Sequence, residues 1–305
     1  MYSMMFFIMI FICMLLSVAF FTLFERKILG YIHKRKGPNK SSLIGLTQPF
    51  SDALKLLSKE YMISSKMNYM IYSLSPMMMM ILALMLWMIF PSNIMVWTFN
   101  QSIIFMLCCF SISVYPIMLG GWSSNSNYAL IGSMRGLAQT ISYEVSLSII
   151  LISCLMLFEC LNFYLFNSLM KYVQLIYFMW PLFFMLFISS LAEVNRTPFD
   201  LVEGESELVS GFNIEYYGFG FAFIFLAEYS MILWISGLNS ILFFTKMNFL
   251  FMTLFISFFM IWIRGTFPRM RYDELMYMCW KMFLPLSIMM LTMITMFKFY
   301  LISDF

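Results

Sequence analysis

Apolar residues along this chain fall in long unbroken runs, without the alternation of a half-buried strand or the narrow stripe of a soluble surface helix. Eight runs stand out, at about residues 2 to 24, 69 to 90, 100 to 119, 138 to 158, 175 to 192, 217 to 243, 247 to 263 and 283 to 302. Hydrocarbon leaves backbone N–H and C=O groups unsatisfied unless a segment bonds to itself, and about 20 helical residues cross a bilayer core. The pattern therefore predicts an all-α integral membrane protein of about eight transmembrane helices, forming a single polytopic domain over residues 1–305. The first run is too long for a signal peptide and enters a basic loop with no small-residue cleavage site, so it is expected to persist.

With eight spans both termini lie on one side and the loops sort into two sets. Loops after the first, third, fifth and seventh runs carry fifteen of the eighteen Lys and Arg residues, while the other set and the termini hold Lys171, Lys246 and Lys298. That asymmetry places the first set in the compartment where the chain was made. The first of these loops is the longest, and Gly37 with Pro38 turns it. Its middle, Leu43 to Leu57, has apolar residues near helical spacing, with Asp52, Lys55 and Lys59 for a polar face. An amphipathic helix lying at the interface fits this pattern, and so does a helix that docks a partner subunit. The two readings are compatible.

Composition agrees with a membrane class: 62% of residues are hydrophobic and 11% charged, and the mean hydropathy is +0.87. The few charges are unevenly placed. The stretch Glu193 to Tyr217, EVNRTPFDLVEGESELVSGFNIEYY, holds six of the fifteen carboxylates against one cation, Arg196. Each ionised neighbour disfavours ionising the next, so such a cluster moves groups toward protonation near neutral pH. In a helix Glu203 and Glu207 share a face, and in an extended strand Glu203, Glu205 and Glu207 do. A solvated acidic loop is the ordinary alternative, but apolar runs flank this segment closely. Glu144 and Glu228 fall inside the fourth and sixth runs, where a charge costs about 2.5 to 3.5 kcal/mol and faces a hydrated cavity or a partner. Arg135 is a candidate counter-ion for Glu144. In the last basic loop Arg264, Arg269 and Arg271 alternate with Asp273 and Glu274, a patch suited to anionic lipid or a partner.

The cysteines Cys13, Cys108, Cys109, Cys154, Cys160 and Cys279 show no CxxC or Cys/His ligand spacing, so no iron–sulfur or zinc site is expected. His33 stands alone in a basic loop. No P-loop or GxGxxG is present, and Gly218 and Gly220 suit close helix packing. The chain is expected to hold no metal or redox centre of its own, and to bind neither nucleotide nor nucleic acid.

Five stretches carry a resemblance: ERKILGYIHKRKGPN at 25 to 39, QPFSDALKLLSKE at 48 to 60, WSSNSNYALIGSMRGLAQTISYE at 122 to 144, AEVNRTPFDLVEGESELVSGFNIEY at 192 to 216 and PRMRYDELM at 268 to 276. Together they resemble the subunit 1 family of the proton-pumping NADH:ubiquinone oxidoreductases, respiratory complex I. The resemblance implies a subunit that joins the hydrophilic arm to the membrane arm and forms the membrane end of the quinone chamber. Ubiquinone would be the substrate, with flavin and iron–sulfur clusters carried by partner subunits. Matched by motif, Arg26, Arg35, Asp52, Ala53, Arg196, Phe199 and Phe225 are implied at the quinone channel or its entrance. Glu144, Glu193, Asp200, Glu203, Glu205, Glu207 and Glu228 are implied in an acidic path toward the pump. Partners would be the hydrophilic iron–sulfur subunits at the quinone site, neighbouring membrane-arm subunits and the bilayer. The implied location is the mitochondrial inner membrane, with charged loops in the matrix and both termini in the intermembrane space. An abundance of Phe and Met, 36 and 34 beside 13 Gly and 9 Pro, suits an AT-rich animal mitochondrial gene.

Two other classes share parts of the pattern. A proton-coupled transporter needs buried carboxylates but works alone. A passive membrane anchor needs docking loops but has no use for Glu144 and Glu228.

Overall fold

The computed structural model describes residues 2–60, 65–91, 99–170, 174–202, 216–244 and 248–303, and contains no strand among them. Helix α1 (Tyr2–Ile32) runs beyond its apolar stretch, since a helix keeps its backbone bonds after Glu25, Arg26 and Lys27 carry it out of the hydrocarbon. A 3₁₀ turn at Leu43–Gly45 leads into α2 (Gln48–Ser58), which has Pro49 in its first turn, where a missing N–H costs no helical bond. Then come α3 (Tyr69–Met88) and α4 (Ser102–Ser123), with Pro76 and Pro116 in their interiors. Neighbouring helices make such breaks tolerable in a membrane bundle. Helix α5 (Asn127–Phe158) starts well before residue 138, so the polar stretch ahead of the fourth apolar run is also helical. A short α6 (Phe163–Met170), absent from the hydropathy pattern, follows.

The fifth expected span is the one that changes. It is a 3₁₀ turn at Leu175–Tyr177 followed by α7 (Trp180–Glu193), only 14 residues long. At 1.5 Å per residue that is about 21 Å, short of a hydrocarbon core of about 30 Å. Pro181 sets the start of α7, because proline has no N–H to extend the helix backward. Exposed Tyr177, Phe178 and Trp180 gather there, as aromatic rings do at a membrane–water boundary. Helices α8 (Gly218–Phe243) and α9 (Phe249–Thr266) come next. Finally α10 (Tyr272–Tyr277) passes through a π turn at Met278–Phe283 into α11 (Leu284–Ser303). Among the described residues seven helical segments are thus long and apolar enough to cross a membrane, with α7 as a shorter eighth.

Helices α5 and α8 form the middle of the bundle. Tyr143, Leu147, Ile150 and Cys154 of α5 join Leu182 and Leu186 of α7 and Trp234, Leu238 and Leu242 of α8 in one buried cluster. The Trp234 indole N–H donates to the Leu86 carbonyl of α3 at 2.8 Å, so the cluster buries no unpaired indole. Serine hydroxyls inside the helices donate back to the carbonyl three residues earlier, as Ser142 does to Gln139 at 2.8 Å. Outward faces are rich in large apolar side chains such as Met70, Phe251, Met293 and Phe297, the surface expected against lipid. One end of the bundle collects the ion pairs Glu25–Arg264, Arg26–Asp52 and Asp200–Arg269. The opposite end carries Lys298, which pairs with Glu159 and donates to the Met156 carbonyl at 2.8 Å. The hydrogen bond from Lys298 holds the exposed Glu159 carboxyl below the usual carboxylate range.

Helices α4 and α5 cross closely where Gly121 meets Ser133, and a methyl group at Gly121 would overlap that side chain. Gly121→Ala should destabilise the protein by about 1 to 3 kcal/mol, the usual cost of overfilling a packed contact. Adding Ser133→Gly should recover part of it. Thermal denaturation of the three forms in detergent measures both effects.

Candidate functional site

After Glu193 the chain stays inside the bundle. Val194, Arg196, Phe199, Asp200, Leu201 and Val202 are all buried, and Asn195 turns the backbone with a left-handed φ of 53°, a conformation asparagine accepts more readily than most residues. The Thr197–Pro198 peptide is cis. Irregular backbone at membrane depth survives only where protein or trapped water satisfies it. Gln139 on α5 supplies much of that satisfaction, since its amide nitrogen donates to the carbonyls of Ala192 at 2.9 Å and Phe199 at 2.7 Å. The Met270 amide donates to the Pro198 carbonyl at 3.0 Å, and Arg269 pairs with Asp200 at 3.2 Å. Gly136, one turn before Gln139, leaves room for Val202, whose methyl would lie 2.5 Å from an added Cβ.

This buried loop brings Arg196 to α8. Its guanidinium pairs with Glu228 at 2.8 Å and lies over the rings of Phe225 at 5.6 Å and Tyr229 at 4.7 Å. Residues 225, 228 and 229 share one helical face by their i, i+3, i+4 spacing, so a single stripe of α8 supplies both the counter-charge and the aromatic bed. Side-chain exposure is 8% for Arg196 and 26% for Glu228, which places the pair at the edge of a recess.

That recess is a cavity of about 90 Å³, walled by Ala83, Cys109, Thr140, Glu193, Asn195 and Glu228 among others. Its volume is ample for several waters. Glu193 Oε2 and Asn195 Oδ1 are buried without a hydrogen-bond partner among the described residues. Buried polar atoms of this kind find water or a proton-carrying ligand as partner. Glu144, on the neighbouring α5, interacts electrostatically with Glu193. A smaller recess of about 20 Å³ is bounded by Phe21, Glu25, Arg196 and Arg264.

The remaining expected site residues fall as follows. Arg26 pairs with Asp52 of α2, and Arg26 and Arg35 line a third, basic cavity. Ala53 is exposed on α2. Phe199 is buried with its ring 6.0 Å from that of Tyr143. Helices α1, α2 and α8 meet pairwise. Phe20 and Phe50 join α1 to α2, Phe21 and Tyr229 join α1 to α8, and Lys59 lies over the Tyr217 ring at the start of α8. Glu203, Glu205 and Glu207 lie outside the described residues. Gln139 and Tyr229 are site residues that sequence reasoning missed. Gln139 had one signal, a primary amide inside the first turn of an apolar run. Among the described residues no group of three or more His, Cys, Asp or Glu side chains is arranged to hold a metal ion.

A family model described as NADH dehydrogenase matches residues 5–295. The chain belongs to that family. It is 54% identical over 286 residues to the NADH-ubiquinone oxidoreductase chain 1 of Locusta migratoria, covering 92% of this chain and 91% of the relative. The chain 1 protein of Aedes aegypti is 54% identical over 281 residues, covering 91% and 90%. That of Branchiostoma lanceolatum is 47% identical over 282 residues, again covering 91% and 90%. Membership makes this chain a subunit of an oxidoreductase and removes the solitary proton-coupled transporter as its class.

If Arg196 and Glu228 depend on one another as their geometry requires, Arg196→Gln and Glu228→Gln will not be additive. Each alone leaves a poorly solvated charge, and the double substitution leaves none. A double-mutant cycle on thermal stability should give a coupling of about 0.5 to 3 kcal/mol, whereas additive losses would show the pair to be incidental.

Proposed function

We propose that this chain forms the membrane end of the quinone chamber in a proton-pumping NADH:ubiquinone oxidoreductase, and holds an acidic path that couples quinone reduction to proton movement. The observation that carries the reading is that Glu193 and Glu228 face one cavity while Arg196, paired with Glu228, also borders the junction of α1 and α8. Reducing a quinone to a quinol takes two electrons and two protons. Electrons would come from flavin and iron–sulfur clusters on partner subunits, as the family resemblance implies. A change of charge at the quinone would be felt first by Arg196. Through Arg196 it would alter how readily Glu228 and then Glu193 and Glu144 hold protons, with Glu203, Glu205, Glu207 and Asp200 as further members of the path.

The isoprenoid tail would enter where α1, α2 and α8 meet, with Arg26, Arg35, Asp52, Phe199 and Phe225 along the channel and the small Ala53 leaving room. A hydrophobic ligand needs an apolar, largely pre-formed slot, and the pairwise contacts of these three helices support a slot at their junction. The setting proposed is the mitochondrial inner membrane, with the fifteen-cation side in the matrix and both termini in the intermembrane space. The hydrophilic iron–sulfur subunits would dock on the matrix face, and other membrane-arm subunits beside it.

Glu193→Gln tests the proposal, because it keeps the side chain's shape and removes its charge and its proton. In a fully assembled enzyme it should lower proton-coupled quinone reduction by roughly a hundredfold, the lower end of what a positioned proton-transfer group contributes. Normal quinone reduction with a normal proton yield per electron would remove Glu193 from the path. A failure to assemble would instead mark it as a docking residue.

A further inference from the structure

Helices α1 and α9 run in the same direction and touch at the end of the bundle that collects the ion pairs. There Glu25 pairs with Arg264, and Gly265 lies so close to α1 that an added Cβ would sit 2.7 Å from Ile32 Cδ1 and 3.3 Å from Leu29 Cδ2. Toward the opposite end the two helices part around a cavity of about 610 Å³, faced by Phe6, Ile10 and Ser17 of α1 and by Phe249, Leu250 and Thr253 of α9. Ser17 and Phe6 stand about 12 and 28 Å from Glu25 along α1, so this wedge opens in the half of the bilayer farther from the ion pairs. Its floor is aromatic. Phe90, just after α3, stacks on Trp87 at 5.4 Å and meets the Phe249 ring at 5.2 Å. Gly237 of α8 makes room for it, since a Cβ there would lie 2.7 Å from the Phe90 ring.

No charged residue borders the wedge among the described residues, and its polar groups are already engaged. The Trp87 indole N–H donates to the Ser230 carbonyl at 3.3 Å. Ser17 donates to Met14 and Ser236 to Leu233, each at 2.7 Å, and Thr253 to Leu250 at 2.9 Å. Nothing is left to hold water, an ion or a polar headgroup, and an empty space of this size would forfeit dispersion contacts along its whole lining. The occupant is therefore apolar. Transmembrane helices associate through small residues and interhelical hydrogen bonds. Among the described residues no glycine or alanine lines the wedge, and its three hydroxyls sit on three different helices, each bonded within its own. A partner helix would gain nothing here over lipid, whereas a flexible hydrocarbon chain conforms to walls of Phe, Met and Leu.

We propose that this wedge binds an acyl chain of a phospholipid from the leaflet opposite the ion-paired end, and that the chain completes the packing of α1 against α9. The site goes beyond the quinone reading. No residue assigned to the quinone channel or to the acidic path borders it, and the wedge closes toward the end of α1 where the isoprenoid tail is proposed to enter. Lipid occupancy is also measured without turnover.

The test uses the assembled enzyme in mild detergent and phosphatidylcholine with a photoreactive group midway along one acyl chain. Label should concentrate on residues 6–17 and 249–254, above its level on the outer face of α11 around Met293 and Phe297, which samples bulk lipid. Unlabelled phosphatidylcholine should compete. Cys13→Phe with Thr253→Phe fills the wedge from two walls. It should lower label in the wedge relative to α11 roughly tenfold, as losing the burial of two methylene groups implies, with quinone reduction retained. The size-preserving pair Cys13→Ser and Thr253→Val should leave the label unchanged. Label spread evenly over α11 and the wedge, or unchanged in the filled variant, would overturn the proposal. So would displacement by long-tailed ubiquinone but not by phosphatidylcholine, or cross-linking of Cys13 to a helix of a neighbouring subunit. Should the filled variant fail to assemble, the distribution of label, its competition and Cys13 cross-linking in the unaltered enzyme decide between the outcomes.

Discussion

A polar loop buried inside an apolar bundle is the constraint on which the rest of this structure depends. Residues 194–202 bring carbonyls, an arginine and a carboxylate into a region where each unmatched polar group costs several kcal/mol. Their partners come from three separate parts of the chain. Gln139 of α5 holds one carbonyl just before the loop, that of Ala192, and one within it, that of Phe199. The segment before α10 supplies Met270 and Arg269. Glu228 of α8 answers Arg196. Because these partners are scattered in sequence, the loop can be satisfied only when α5, α8 and the end of α9 stand in one arrangement.

The same constraint explains where chemistry is possible. A bundle filled only by Leu, Met and Phe would have no reason to keep a recess at mid-depth. Here Glu193, Asn195 and Glu228 prevent apolar closure, and the cavity they share remains polar on one side and apolar on the other. Glu25 with Arg264 repeats the device nearby, joining α1 to α9. Glu25, Arg196 and Arg264 line the smaller recess, so charged groups border it as they border the main cavity.

Much of this was legible in the residues. Carboxylates at 144 and 228 stand out because hydrocarbon tolerates charge so poorly, and Arg196 stands out as the lone cation in an acidic stretch. The likeness to a quinone-linked family rested on whole strings of residues that membrane insertion alone does not demand. What stayed hidden has physical reasons. A glutamine in a helix is common on any amphipathic face, so the sequence of α5 does not announce that Gln139 clamps two carbonyls from a different segment. For residues 194–202 a solvated loop stayed open as the alternative because they are polar and contain proline, and only the surrounding donors reveal that they are buried. Helix α7 was expected to be longer because hydropathy counts Tyr177 and Phe178 as apolar and is blind to Pro181, which fixes the helix start. The early start of α5 at Asn127 was hidden for the opposite reason, since hydropathy finds the membrane and not the end of the helix.

The most direct measurement of the central claim is backbone hydrogen–deuterium exchange in Gln139→Met within the assembled enzyme. Methionine keeps the length of the side chain and removes its donors, leaving the Ala192 and Phe199 carbonyls without Gln139. If the buried loop depends on that clamp, amides of residues 194–202 should exchange faster while those in the middle of α5 and α8 stay protected, and quinone reduction should fall with them. Unchanged exchange across 194–202, together with an unchanged rate of quinone reduction, would contradict it.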